Sequence, residues 1–396
     1  MGKTFIRFCF VTAVIISLHT GNCNAIEFKG MSYVGWSRNA YSSTDSNTSL
    51  ANAKASGCEW VAINVWWFQE TVTSTVIAPD YNLYSVSPAS VKVAVDRCHQ
   101  LGMKVMLKPM LDVNTPDNTW RARIVPSTAW FNAYHGFLNY WADFAEANNC
   151  EMLCIGCEFE DTSSWATQWR SVASDVRTHY SGPITYAVNH GGENAISWWD
   201  ALDYIGIDAY YSLTDSNSSN LTQLTAAWNT RADSIQTWRN SSWPDMNIIF
   251  TEVGYGSYDG ANRWPWAVYD TFALDLNEQN DCYKALLSVC KNRSWWKGTF
   301  WWAWDTNPYS GGLTDKNLTP QRKPAETVTL RNYYITIVGD LDDDRNVGID
   351  DLALFCDYWL EQNYVGWPDF SNDKKVDFRD FALLAANWRQ SIPSPQ

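Results

Sequence analysis

Residues 247–255 read NIIFTEVGY. The run has strand length, is apolar on both strand parities, and carries near its end a glutamate, Glu252, two residues before a glycine. A strand that presents apolar side chains to both faces belongs in a sheet covered on both sides, which points to a parallel sheet. Seven further runs share this pattern, at 30–36, 60–68, 104–111, 151–158, 184–190, 204–211 and 298–305. Each is followed by a cluster of Gly, Pro, Asn, Asp or Ser. Helix-like stretches fall between them, such as 87–101, 129–148, 163–180, 221–239 and 277–291. Eight strand–crossover units over roughly 300 residues predict a (β/α)8 TIM barrel, in the α/β class. The rival doubly wound sheet lacks a G-x-G-x-x-G opening any helix.

Barrel chemistry gathers at the C-terminal ends of strands, so the polar and aromatic residues closing each run are the candidates. They are Asn64 and Gln69, Lys108 and Asp112, Glu158 and Glu160, Asn189 and His190, Asp208 with Tyr210 and Tyr211, Glu252 with Tyr255, and Trp302, Trp304 and Asp305. The fourth run closes as LCIGCEFE, residues 153–160. A redox C-x-x-C belongs at a helix N-terminus and a zinc site needs more His or Cys at ligand spacing, so Cys154 and Cys157 read as core residues. Strand alternation sends them to opposite faces and groups Glu158 with Met152, Cys154 and Gly156. Glu160 falls in the following loop, placed to cap a helix or meet a substrate.

A carboxylate ending an apolar strand is costly to bury without a partner or a task. Two of them, Glu158 and Glu252, at corresponding strand ends of one barrel mouth fit glycoside hydrolysis. One carboxyl with a raised pKa protonates the leaving oxygen, while the other attacks the anomeric carbon or activates water. Composition agrees with a sugar ligand. The 396 residues include 24 Trp and 20 Tyr against 18% charged residues, more rings than a core ordinarily needs and suited to stacking sugars. A net charge of −14 argues against nucleic acid.

Residues 1–25 read as a secretory signal peptide. Lys3 and Arg7 form a basic start, residues 8–18 an apolar run too short to span a membrane, and Cys23-Asn24-Ala25 a small-residue cleavage site. The expected product is secreted, with its remaining eight cysteines mostly buried as small hydrophobes. The expected barrel occupies 26–338.

The remainder, 339–396, differs in kind. From Asp340 on, 12 acidic residues face 5 basic ones. Two twelve-residue segments repeat at a spacing of 29, DLDDDRNVGIDD from Asp340 and DFSNDKKVDFRD from Asp369. Oxygen-bearing side chains recur at positions 1, 3, 5 and 12, and an apolar helix follows each. This EF-hand-like spacing offers the oxygens that calcium requires. Arg345 and Lys374 stand where such loops usually carry Gly. The repeat resembles a type I dockerin, a small all-α calcium-folded module that docks onto cohesin domains of a scaffold or surface protein. The resemblance implies two structural Ca2+ ions, one held by Asp340, Asp342, Asp344 and Asp351, the other by Asp369, Ser371, Asp373, Asp377 and Asp380.

An acid/base glutamate after the fourth strand and a nucleophilic glutamate after the seventh is the arrangement of clan A retaining glycosidases. Within it the chain resembles glycoside hydrolase family 113, whose known members are mainly β-mannanases. The resemblance runs through residues 106–124, 152–189, 198–215, 248–266 and 297–305. It implies Glu158 as acid/base and Glu252 as nucleophile, with no cofactor for catalysis. It also implies a mannan-type substrate in a cleft shaped by Lys108, Asp112, Arg121, Asn189, Tyr210 and Trp302. Asn64, Glu160, Asp208, Tyr255 and Trp304 join these as strand-end or loop candidates. Tyr210, Tyr211, Trp302 and Trp304 are the expected stacking rings, and alternation lets only one of Trp301 and Trp302 face inward. Two positions depart from the pattern: Cys157 stands where many clan A members have Asn, and Met110 where a His is expected. Both bear on which sugar epimer fits. A β-glucanase or β-galactanase of the same clan is the alternative, and a non-catalytic calcium-dependent carbohydrate-binding protein a more distant one.

Overall fold

The computed structural model describes residues 26–115, 119–217, 220–267, 271–335, 337–342, 346–362, 368–371 and 373–391. Eight strands form one closed parallel barrel in sequence order: β1 (Phe28–Val34), β2 (Trp60–Gln69), β3 (Lys104–Val113), β4 (Met152–Cys157), β5 (Ile184–Asn189), β6 (Tyr204–Asp208), β7 (Asn247–Val253) and β8 (Trp296–Asp305). Crossover helices are α1 (Thr44–Ala55), α2 (Pro88–Gln100), α3 (Thr128–Ala147), α4 (Ala166–His179), α5 (Leu221–Ser242) and α6 (Leu276–Cys290). A π-helical turn, Ala325–Leu330, leads into α7 (Arg331–Tyr334) after the last strand.

The two-sided apolar pattern is explained by two cores. In β2, Trp60, Ala62, Trp66 and Phe68 join the cluster inside the barrel, whereas Val61, Ile63 and Val65 pack outward under the helices. Helix α1 was not foreseen from the sequence. Its TDSNTSLANAKA buries only Ser46, Ser49, Leu50 and Ala53, so no apolar stripe announces it. Ser43 starts it by accepting a hydrogen bond from the Ser46 amide. Between β5 and β6 the crossover holds only 3-10 turns, Glu193–Ala195 and Trp199–Ala201. Trp198 and Trp199 occupy the space there, with Trp198 stacked on Trp169 at 5.0 Å between ring centroids and 8° between planes.

This packing corrects the reading of the tryptophan content. Trp130, Trp141, Trp169, Trp198, Trp199, Trp228, Trp301 and Trp304 are all buried between sheet and helices. A wide barrel with a missing helix is filled by indoles, and the abundance of Trp therefore reports core packing at least as much as sugar stacking. None of the eight cysteines among the described residues is bridged, and all but Cys356 are buried.

Two short helices follow, α8 (Ile349–Asp357) and α9 (Phe378–Ala386). They share a small core of their own, Ile337, Val347, Phe355, Val376 and Leu384. Antiparallel bridges Asn346 to Ser391 and Gln362 to Lys375 tie the two loop–helix repeats crosswise. Among the described residues no helix is long and apolar enough to cross a membrane.

Candidate active site

A cavity of about 750 Å3 opens at the C-terminal ends of the strands, and both Glu158 and Glu252 line it. Neither glutamate reaches it by simple alternation. Along β4 and β5, Cys154 pairs with Thr185 but Cys157 pairs with Ala187, so β4 carries one extra residue. Along β6 and β7, Ile207 pairs with Phe250 but Asp208 with Glu252, and β7 is likewise one residue longer. Such bulges shift the inward set by one position and re-aim side chains at functional rims. Cys154 and Cys157 consequently both face the barrel interior, contrary to the alternation expected for them. Gly156 belongs to the bulge: a Cβ there would stand 2.7 Å from the Tyr186 ring. Glu158 then adopts a left-handed backbone, φ 57°, a conformation costing a non-glycine residue about 1–3 kcal/mol.

The two carboxyls sit in different environments. The Lys108 ammonium lies 2.5 Å from Glu252 Oε1, and the Tyr210 hydroxyl donates to Oε2 at 3.1 Å. Lys108 is fully buried below the cavity and also meets Asp208 Oδ1 at 3.4 Å. Asp208 in turn accepts from Thr251 Oγ1 at 2.8 Å and from the Cys157 thiol at 3.3 Å. Burial and the neighbouring Asp208 charge raise the Glu252 pKa, and the Lys108 ammonium, shared with Asp208 but in direct contact with Glu252 Oε1, opposes that rise.

Glu158 Oε2 accepts from Arg121 Nη1 and from Trp120 Nε1, each at 3.3 Å. Arg121 is shared: its Nε donates to Asp112 Oδ1 at 2.7 Å, and Asp112 Oδ2 accepts from Tyr84 at 2.8 Å. With its cation divided between two carboxyls, burial and the nearby Asp208 charge dominate and push the Glu158 pKa up to about 8. Both carboxyls are thus pushed up, but Glu252 has an ammonium in direct contact while Glu158 has only a shared guanidinium at 3.3 Å. Unequal environments for two carboxyls in one cavity suit acid–base chemistry on one substrate.

A stability consequence follows from the same pKa. The native carboxyl holds its proton up to about pH 8, while an unfolded glutamate releases it near about 4.3. Between those values the native state binds more protons, so its stability falls as pH rises. Glu158→Gln removes this term. Its melting temperature relative to the unsubstituted protein is expected to climb between pH 4.5 and pH 8.5, and a difference that stays flat with pH would contradict the assignment.

The remaining candidates divide sharply. Asp112, Arg121, Asn189, Tyr210 and Trp302 line the cavity. Lys108 and Asp208 lie beneath it and act through Glu252 and Cys157. Asn64 is buried inside the barrel, donating to the Tyr33 and Ala62 carbonyls. Glu160 is taken up by Asn189 Nδ2 at 2.9 Å and Arg123 at 3.4 Å, behind the wall. Tyr255 and Trp304 are corrections. Tyr255 is buried outside the barrel with its hydroxyl accepting from Trp228, and Trp304 donates to Ser49 in the same outer core. Tyr211 is also outward, bonded to Glu193. Trp302 is the inward member of its pair, and Trp301 stacks on Tyr283 at 3.7 Å.

Several lining residues were absent from the expected site. Trp36 ends the first run and Trp120 adjoins Arg121, so both had a local signal. Trp66, Tyr84 and Leu318 had none that distinguished them from core residues. Trp266 arrives on the loop after β7 and stacks on His190 at 5.8 Å. Met110 and Cys157 do flank the site, Met110 in the cavity wall and Cys157 within 3.5 Å of Arg121 Nη1. Oxygen and sulfur atoms of Cys157, Glu158 and Asp208 lie within 4.8 Å of one another. Burial pushes the Cys157 thiol well up, so it serves Asp208 as a donor and makes a poor metal ligand.

The model of Glycoside Hydrolase Family 113 matches residues 31–319. Among solved structures, the chain is similar to a GH113 β-1,4-mannanase at 27% identity, covering 78% of this chain and 98% of that one with a TM-score of 0.69. The GH113 β-mannanase of Alicyclobacillus acidocaldarius in complex with ManMIm matches at 27% identity, covering 79% and 98%, TM-score 0.69. A β-glucuronidase of Ruminococcus gnavus shares the fold alone, at 11% identity and TM-score 0.53 over 78% of this chain and 49% of its own. No curated protein matches the sequence.

Proposed function

Because the chain belongs to glycoside hydrolase family 113, and is therefore a glycoside hydrolase, we propose that it is a secreted, retaining endo-β-1,4-mannanase. The observation carrying the mechanism is the pairing of a proton-holding Glu158 with a Lys108- and Tyr210-bound Glu252 in one cavity. Similarity to solved β-1,4-mannanases supports the substrate.

In the first step a Glu252 carboxylate oxygen attacks the anomeric carbon as the glycosidic C–O bond breaks. The Glu158 proton passes to the departing oxygen, leaving Glu158 ionised and the sugar esterified to Glu252. In the second, Glu158 takes a proton from water, the hydroxide oxygen bonds to the same carbon, and the ester bond to Glu252 breaks. Arg121 and Trp120 donate to the Glu158 carboxylate that exists between the steps, and Lys108 with Tyr210 stabilises Glu252 when it is released. A panel of mannan, glucomannan, xylan, galactan and β-glucan tests the substrate, with NMR of the first-formed anomer testing retention. Preferential cleavage of β-glucan or galactan would favour the clan A alternative, for which Met110 and Cys157 at the cavity are the motivating departures. An inverted product would overturn the covalent route.

Export is part of the proposal and rests on residues 1–25, which lie outside the described residues. So does Asp344. The C-terminal repeats are proposed as a dockerin-like calcium module, residues 339–396, with a cohesin-type partner. Asp340, Asp342 and Asp351 bring carboxylate oxygens within 4.8 Å of one another, a spacing that suits one cation. In the second loop Asp369 and Asp380 accept loop amides, from Lys374 at 2.8 Å and Ser371 at 2.8 Å. Asp373 is paired with Arg379, Ser371 Oγ donates to Asp369, and Asp377 caps α9. Calorimetric titration of the full chain is expected to give one Ca2+ per loop, with Asp351→Ala and Asp380→Ala each removing one ion and lowering protease resistance near the C-terminus. A titration without heat or gain in order would remove this part of the proposal.

A further inference from the structure

Asp208 ends β6, fully buried beneath the cavity that Glu158 and Glu252 line. It stands beside both glutamates. One of its carboxylate oxygens lies within 4.8 Å of a Glu158 oxygen, and it pairs with Glu252 in the register of β6 and β7. Asp208 and Glu252 also share one ammonium, Lys108 Nζ, at 3.4 Å and 2.5 Å. Thr251 Oγ1 donates to Asp208 Oδ1 at 2.8 Å and the Cys157 thiol to Oδ2 at 3.3 Å, so the side chain is held on three sides. Among the described residues, the other titratable and charged groups facing these three carboxyls are Lys108 on β3, Cys154 and Cys157 on β4, His190 after β5, Tyr210 after β6, and Arg121, which Asp112 shares. Packing alone does not call for an acid at position 208. An amide of the same shape would fill the space without competing for the ammonium. What the acid adds is a like charge beside two carboxyls, which disfavours ionisation of each. Burial first and Asp208 second raise both Glu158 and Glu252.

We propose that Asp208 is a positioning residue for the reaction: buried below the sugar, it keeps the proton on Glu158 at the start of the cycle and divides the Lys108 cation so that Glu252 is free to attack. This role rests on those given to Glu158 and Glu252 above, and not on which sugar is cut. The test is kcat/KM against pH for the unsubstituted enzyme, Asp208→Asn and Asp208→Glu, on the best-cut polysaccharide of the panel. Loss of the Asp208 charge lets both glutamates ionise at lower pH. The acid limb, set by Glu252, and the alkaline limb, set by Glu158, should therefore both move down in Asp208→Asn, by about one to two pH units. Asp208→Glu restores the charge and should return both limbs towards their places, whatever its kcat. A residue needed only for packing would lower kcat/KM at every pH and leave the limbs where they were. That result, or limbs that stay displaced in Asp208→Glu, would overturn the proposal. Where Asp208→Asn does not fold, Lys108→Gln combined with Asp208→Asn removes the buried pair together. The alkaline limb should still move down, because Asp208 outweighs Lys108 at Glu158, and a stationary limb there would be equally fatal. Glu158→Ala on an aryl glycoside separates the two levels. An alkaline limb that persists in it overturns the acid/base role and this proposal together, whereas one that vanishes in it but stays put in Asp208→Asn overturns this proposal alone.

Discussion

Glu252→Ala is expected to reduce kcat on mannan by about 10^4-fold or more, with melting temperature nearly unchanged. The substitution removes the group proposed to bond the anomeric carbon and leaves the scaffold intact. Lys108 keeps Asp208 as a counter-ion, and the space vacated is at the cavity wall and not within the core. Added azide should restore turnover, because a small anion fits the gap and attacks from the face that Glu252 used. One displacement then replaces two, so the glycosyl azide must have inverted configuration. Retained activity without azide, or a rescued product of retained configuration, would remove Glu252 from the nucleophile role.

Glu158→Ala should behave differently according to the leaving group. On mannan, whose alkoxide leaves badly, loss of proton donation is expected to cost about 10^2–10^4-fold. An aryl mannoside with an acidic phenol needs no such proton, so its first step should persist and release a burst of phenol while the second step lags. The pH profile carries the same information. Glu158 must be protonated to act in the first step, so kcat/KM of the unsubstituted enzyme should fall as pH rises through about 8. That alkaline limb should be missing in the variant assayed on the aryl substrate. A variant equally impaired on both substrates would argue that Glu158 positions the sugar without donating a proton to it.

The barrel was readable because both faces of every strand are buried, which leaves a signal in composition that no helix propensity can obscure. Helix α1 was not, since its polar sequence is carried by a cap and by packing of two apolar side chains. Glu158 and Glu252 were identifiable as carboxyls ending apolar runs. The alternation used to orient Glu158 was wrong, and only its position at the strand end made the choice hold. One-residue bulges before both glutamates are set by pairing with neighbouring strands, Cys157 with Ala187 and Glu252 with Asp208, and a single strand read alone carries no trace of them. Trp304 and Tyr255 went astray for a related reason. Strand-end aromatics serve the cavity or the outer core according to which way the last residue turns, and the register shifts in β7 and β8 decide that.

The chain of ion pairs under the cavity has a consequence for inhibition. Among the described residues, and with Glu158 protonated, the acidic groups of Asp112, Asp208 and Glu252 share two cations, Lys108 and Arg121, so counter-charges are one fewer than acidic groups. That excess lies where an oxocarbenium ion would develop. A ring-nitrogen sugar mimic that is protonated in place should therefore supply the missing cation and outbind its neutral lactam counterpart of the same shape. Its preference should be greatest where the mimic is charged and Glu252 is ionised, giving the site a selectivity for charge that is separate from its selectivity for hydroxyl stereochemistry.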